Sequence, residues 1–182
     1  MPPANDSDEI LIRDAVDGDM AAIREIYAHH VLEGLASFEE TPPVEAELTR
    51  RRDAVRAGGY PYRVAEVGGI IKGYAYAGPF RPRPAYRHTV ENSVYVSLET
   101  HRRGVGQRLL EDLIQRCTEL GYRQMVAIIG DSANEASIGL HSRLGFVTIG
   151  VQPSVGFKFG RWVDSVTMQL PLGEGDTTLP DS

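Results

Sequence analysis

The chain has 182 residues, a length that suits one domain. A hydrophobic share of 42% and a charged share of 24% exclude a disordered or collagen-like chain. A formal charge of −6 argues against nucleic acid as a partner, no apolar run reaches the roughly 20 residues of a membrane span, and a lone cysteine, Cys117, excludes an internal disulfide.

Residues 1–9 are polar and acidic and lack the basic and apolar regions of a secretory signal, so a cytoplasmic protein is expected. Residues 1–9 and 173–182 read as flexible ends around one domain over 10–172. Within it, residues 10–15 suit a strand. Asp17 can cap the helix that follows, whose face carries Met20, Ile23, Ile26, Tyr27, His30 and Val31. A proline-containing loop over 34–43 precedes a polar helix over 44–57. Strands over 62–67 and 70–77 flank Gly68-Gly69, a pair suited to a tight hairpin. Residues 78–88, rich in Pro and Arg, form a loop.

The clearest strand covers 89–98, followed by a glycine-containing turn over 101–106. Val105, Leu109, Leu110, Leu113, Ile114 and Cys117 then mark one face of a long helix ending before Gly121. Residues 124–129 suit a buried strand. Ser132 and Glu135 have capping-box spacing for a helix to Leu144, which Gly145 stops. Strands over 146–151 and 162–170 complete the order β-α-α-β-β-β-α-β-α-β-β. The fold class is α/β (α+β): a mixed, mostly antiparallel sheet with one central β-α-β crossover.

The turn reads His101-Arg102-Arg103-Gly104-Val105-Gly106-Gln107. Its glycines permit close backbone approach, the helix start offers free N–H groups, and the arginines add charge. These features suit a pyrophosphate. It is neither a Walker A loop, lacking G-K-[ST], nor a dinucleotide fingerprint, since Leu109 stands at the third glycine position. Taken alone, it reads equally as a tight turn with surface arginines.

Val94-Tyr95-Val96 followed by R-x-G-x-G over 102–106 resembles the acetyl-CoA motif of the GNAT N-acetyltransferase superfamily. Asn134, Ser137, His141 and Leu144-Gly145-Phe146 resemble its next motif. The stretches Tyr74 to Phe80, Thr89 to Val96 and Gly156 to Asp164 are similar to the phosphinothricin and methionine-sulfone acetyltransferase branch. The resemblance spans about 12–172. It implies a seven-stranded sheet flanked by about four helices, acetyl-CoA as cosubstrate, a small-molecule amine as acceptor and a homodimer. One departure is His101, where the family usually has Gln or Arg.

The resemblance assigns Val94, Tyr95, Val96, Arg102, Arg103, Gly104, Val105, Gly106, Gln107 and Asn134 to the cofactor. It makes Glu91 the base for the ammonium proton and His141 or a water the acid for the thiolate. Phe38, Arg81, Arg83, Tyr86 and Glu91 are the acceptor candidates, and Lys158 and Trp162 belong to a branch signature that could shape the same cavity. Ideal alternation puts Glu91, Ser93 and Tyr95 on one strand face. The five histidines show no ligand spacing with Cys117 or with acids, so no metal is expected. Cys117 lies on an apolar helix face, which favours direct attack of the amine over a cysteine-linked intermediate. The expected reaction is acetyl transfer to the α-amino group of a small amino acid of the phosphinothricin, methionine sulfone or methionine sulfoximine type. Acetylation of protein N-termini or lysines, and a non-catalytic acyl-CoA sensor, stay open.

Overall fold

The computed structural model describes residues 9–100 and 103–180. The elements run β1 (Ile10–Asp14), α1 (Met20–Glu33), α2 (Glu45–Ala57), β2 (Tyr62–Val67), β3 (Ile70–Pro79), β4 (Thr89–Val96), α3 (Val105–Glu119), β5 (Gln124–Gly130), α4 (Glu135–Arg143), β6 (Val147–Lys158) and β7 (Arg161–Pro171). They form one seven-stranded sheet in the order β1-β2-β3-β4-β5-β7-β6. Every pairing is antiparallel except β4 with β5, which α3 connects as a crossover. The element order is the one that periodicity predicts. No helix among the described residues is long and apolar enough to cross a membrane.

Each face of the sheet carries its own core. Leu109, Leu110, Leu113 and Cys117 of α3 are fully buried and pack on a floor that includes Ala65, Ala75, Ala77, Val90 and Met125. Small alanines on β2 and β3 let the leucines of α3 approach the sheet closely. On the other face, Ile23, Tyr27 and Val31 of α1 cover Tyr62, Val64 and Tyr74. Arg63 on β2 is buried and ties the first layer together, donating to Asp112 of α3 at 2.8 Å and pairing with Asp14 of β1. Gly68 and Gly69 have φ of 56° and 79°, the left-handed values that their hairpin turn requires.

Three local expectations need correction. Asp17 does not cap α1: it pairs with Arg52, and Asp19 accepts the Val16 N–H instead. Ser132 does not cap α4 either, because its hydroxyl donates to Asp164, and Asn134 is the cap, accepting the Ser137 N–H at 3.1 Å. β6 runs seven residues beyond its predicted end, to Lys158. Pro153 and Gly156 disguise it as a loop. The edge position tolerates a proline, and the register shift between Gln152 and Gly156, with Ser154 at φ 55°, absorbs the irregularity.

Leu113→Ala should cost about 2–5 kcal/mol, because it empties a fully buried site between α3 and the sheet. Urea unfolding checks this: the midpoint should fall while the slope of stability against urea stays unchanged.

Candidate active site

The site begins with a mismatch in pairing. β4 stays bonded to β3 as far as Gly73↔Val96, but its parallel pairing with β5 stops at Asn92↔Ala127. β5 continues to Gly130 on β7. Beyond Asn92 and Ala127 the strands splay, and the facing backbone groups of Ser93 to Val96 and of Ile128 to Gly130 do not pair with each other. A narrow crevice of about 50 Å³ opens there, with Val94, Tyr95, Asn134, Ser137 and His141 among its lining residues. Val94, Tyr95 and Asn134, three of the residues expected at the cofactor, line this one opening. Val96 lies at its outer end.

The register from Val90 to Val96 is regular, so alternation holds. Glu91, Ser93 and Tyr95 share the face covered by α1 and α2. Asn92, Val94 and Val96 share the face of α3 and α4. Glu91 and His141 consequently sit on opposite sides of the sheet; His141 lines the opening and Glu91 does not. Glu91 forms no ion pair or side-chain hydrogen bond with the described residues, and burial pushes its carboxyl above the ordinary range. His141 is 4% exposed. Its Nδ1 lies 2.8 Å from the Ser137 carbonyl and its Nε2 lies 3.1 Å from the Asn92 amide oxygen. Burial pulls its imidazole below the ordinary value, and the Ser137 carbonyl opposes that pull.

The glycine turn lies at the outer end of β4. Gly104 adopts φ 79° and starts α3. Arg108 donates to the Gly104 carbonyl, which leaves the N–H groups of Gly104, Val105, Gly106 and Gln107 without a backbone acceptor among the described residues. Gly106 packs against β4 and α4, where a Cβ would meet Leu140 at 3.3 Å and Val96 at 3.4 Å. The side chains in this turn are employed elsewhere. Val105 is buried in the core, and Gln107 donates to Glu111. Arg103 gives its N–H to Thr100 and lines a separate hollow of about 360 Å³ with Ile10, Val67, Thr100 and Val105. Arg102 and His101 lie outside the described residues. The free N–H groups at a helix start and the open strand edge fit a long anionic thioester such as acetyl-CoA.

The acceptor candidates are less concentrated. Phe38 lies over glycines: a Cβ on Gly156 would stand 2.5 Å from its ring, and one on Gly130 would strike Leu35 and Phe38. Arg81 stacks over Phe80 and Tyr86, at 4.9 Å and 5.5 Å from the ring centres, within the exposed loop that joins β3 to β4. Arg83 is exposed in the same loop. Arg81, Arg83 and Tyr86 do not line the crevice.

Sequence reasoning missed three contributors. Asn92 links His141 to the Val126 carbonyl of β5. His30 of α1 bonds the Val96 carbonyl through Nε2 at 2.9 Å and packs against Tyr95. Tyr76 is the cross-strand partner of Ser93 and lies within electrostatic reach of Glu91. Of the two residues in the branch signature, Lys158 is buried and holds the loop before Phe38, donating to Gly34 at 2.9 Å and to Ser37 at 2.7 Å. Trp162 is 64% exposed beside Phe157 and lines neither the crevice nor the separate hollow. Among the described residues no cluster of His, Cys, Asp and Glu could hold a metal ion. Burial pushes the Cys117 thiol up to about 12, so it is no nucleophile.

Comparisons with known proteins agree with this geometry. A family model described as an acetyltransferase (GNAT) domain matches residues 12–167. A phosphinothricin N-acetyltransferase of Alcaligenes faecalis is 54% identical over 170 residues, covering 93% of this chain and 86% of the relative. An L-methionine sulfoximine/L-methionine sulfone acetyltransferase of Pseudomonas paraeruginosa is 46% identical over 162 residues, covering 88% of this chain and 94% of the relative. The crystal structure of a GNAT superfamily phosphinothricin acetyltransferase from Sinorhizobium meliloti, in complex with acetyl-CoA, superposes with a TM-score of 0.92. It is 49% identical, and the match covers 95% of this chain and 94% of that one.

Lys158→Met should leave two loop carbonyls without a donor and cost about 1–3 kcal/mol. Thermal unfolding should record a lower midpoint. Steady-state kinetics should record a raised KM for the acceptor with little change in the KM for acetyl-CoA. An unaltered acceptor KM would separate this loop from acceptor binding.

Proposed function

The chain belongs to the GNAT acetyltransferase family and uses acetyl-CoA, and on that premise we propose that it acetylates the α-amino group of a small amino acid of the phosphinothricin, methionine sulfone or methionine sulfoximine type. One observation carries the reading. A half-buried carboxylate with no ion pair or side-chain hydrogen bond among the described residues, Glu91, stands one residue before the last rung that β4 shares with β5.

Acetyl-CoA lies along the opened edge of β4 near Val94 to Val96. The N–H groups from Gly104 to Gln107 face its pyrophosphate, with Arg103 beside them, and Asn134 borders the thioester while capping α4. Glu91, ionised, accepts a proton from the ammonium through water. The freed amine attacks the thioester carbon directly. Backbone N–H groups of the open strand stabilise the oxyanion, the C–N bond forms and the C–S bond breaks. His141 or a water then protonates the sulfur. The acceptor lies between Glu91 and Phe38, with Arg81, Arg83 and Tyr86 at its outer rim, where guanidinium groups suit a carboxylate or phosphinate.

A homodimer of the cytoplasm completes the reading. β6 is an edge strand with Val147, Ile149, Val151, Val155 and Phe157 all about half exposed, and Trp162 of β7 extends this apolar surface. A patch of this kind favours a protein partner, here a second copy. Val151→Lys should shift the protein from dimer to monomer, measured by light scattering after size-exclusion chromatography. An unchanged mass would move the interface elsewhere, and a monomeric parent protein would remove the dimer.

The test of function is acetyl-CoA-dependent thiol release with a panel of acceptors. Rapid turnover is expected on phosphinothricin, methionine sulfone or methionine sulfoximine. Turnover on peptides alone would make this a protein acetyltransferase. Tight acetyl-CoA binding without turnover would make it a sensor. Glu91→Gln should keep acetyl-CoA binding and lower kcat/KM by about 10²–10⁴-fold. Glu91 acts when deprotonated and burial raises its pKa, so activity should rise with pH through a limb above the ordinary carboxylate range. That limb should vanish in the variant.

A further inference from the structure

The second proton transfer depends on how His141 is held, and its partner is a residue without an assigned role. Asn92 is 5% exposed and occupies the last rung that β4 shares with β5. Its Nδ2 donates to the Val126 carbonyl at 3.2 Å. That bond fixes which way round the amide lies: turned over, its oxygen would face another acceptor. Oδ1 therefore faces Nε2 of His141 at 3.1 Å. On the other side of the ring, Nδ1 meets the Ser137 carbonyl at 2.8 Å, also an acceptor. Phe146 closes one edge of the ring, 4.9 Å between centres.

A neutral imidazole carries one N–H, yet both nitrogens face acceptors. The network closes only when both are protonated. The groups packed on the ring come from β4 (Asn92), α4 (Ser137) and the segment before β6 (Phe146), and none of them is ionisable. Glu91 is next to Asn92 in the chain but points to the opposite face of the sheet. Burial disfavours the charged ring and the Ser137 carbonyl works against it; an acceptor oxygen at Nε2 acts in the same sense as that carbonyl.

We propose that Asn92 is a positioning residue for His141, holding the imidazole against the strand opening and keeping a proton on Nε2 for the sulfur of coenzyme A. This inference rests on the acetyl-transfer reading. As the C–S bond breaks, its electron pair goes to sulfur, which takes the Nε2 proton. The ring keeps Nδ1–H on Ser137 and regains a proton through water from the amine nitrogen, which loses two protons in becoming an amide. Without Asn92 the buried ring settles as the neutral Nδ1–H form, with nothing to give at the crevice.

The experiment uses Asn92→Leu, an apolar residue of similar size, and Asn92→Asp. Nitrogen-15 NMR follows the titration of His141 in the enzyme without acetyl-CoA, its signal assigned by loss in His141→Gln. The proton affinity of the ring should fall about tenfold in the leucine variant and rise about tenfold in the aspartate variant, one pKa unit each way. In turnover, Asn92→Leu should lower kcat with little change in the KM for acetyl-CoA, and should add nothing in a His141→Gln background. A His141 titration unmoved in both variants overturns the proposal, as does an equal loss of kcat with and without His141. If the leucine variant fails to fold, the aspartate variant decides. If no acceptor is turned over by the parent enzyme, the acetyl-transfer reading fails, and the NMR titration still decides the pairing.

Discussion

β4 is bonded along one edge as far as its last residue and along the other for only four rungs, Thr89↔Gln124 to Asn92↔Ala127. A sheet interior does not ordinarily leave backbone N–H and C=O groups unpaired, because each buried unpaired group costs about as much as a lost hydrogen bond. The opening persists because its surroundings hold it apart. β5 is recruited to β7 as far as Gly130↔Ser165, while β3 keeps β4 in line. Asn92 and the Val126 carbonyl tie the final rung, and His30 engages the Val96 carbonyl at the far end. The site is thus a gap between two well-anchored strands, and a ligand with an extended amide-bearing arm satisfies the groups that the fold leaves open.

The period of a β-strand then does chemical sorting. Adjacent residues point to opposite faces, so Glu91 faces α1 and α2 while Asn92 faces α4 and meets His141 there. Acetylation of an ammonium needs a base on the amine side and a proton for the leaving sulfur. A pleated strand at the edge of an opening separates these two duties by one residue. Burial moves the two groups in opposite directions: it raises the Glu91 carboxyl and lowers the His141 imidazole, the Ser137 carbonyl opposing the second shift.

Local patterns made most of the fold legible. The amphipathic stripe from Val105 to Cys117 and the Gly68-Gly69 turn each depend on neighbours within a few residues, and both are found as read. The crevice was legible too, because Val94, Tyr95, Asn134 and His141 sit on short motifs. What escaped was non-local or ambiguous. Asn92 looks like an ordinary strand residue until α4, 49 positions later, brings His141 to it. Ser132 and Asn134 are both capping residues, and Asp164, far along the chain, takes the Ser132 hydroxyl and leaves the cap to Asn134. β6 was cut short because its proline and bulge are tolerated only at an edge, a position that the sequence does not declare.

The same contrast explains why the cofactor is easier to read than the acceptor. The groups proposed for acetyl-CoA are consecutive backbone positions of a strand end and a helix start, so their motif is contiguous. The proposed acceptor side rests on the loop between α1 and α2, whose contacts reach across the chain. Lys158 reaches the Gly34 and Ser37 carbonyls from more than 120 residues away, Tyr27 holds the Ser37 hydroxyl at 2.9 Å, and Gly130 and Gly156 leave the space in which Leu35 and Phe38 lie. The buried ammonium of Lys158 acts as a strut, donating to two carbonyls of that loop at once. Changes in Phe38 or its neighbours alter the shape presented to the acceptor without touching that strut or the open edge of β4. Selectivity among small amino acids can therefore vary on this scaffold while the acetyl-CoA machinery stays the same.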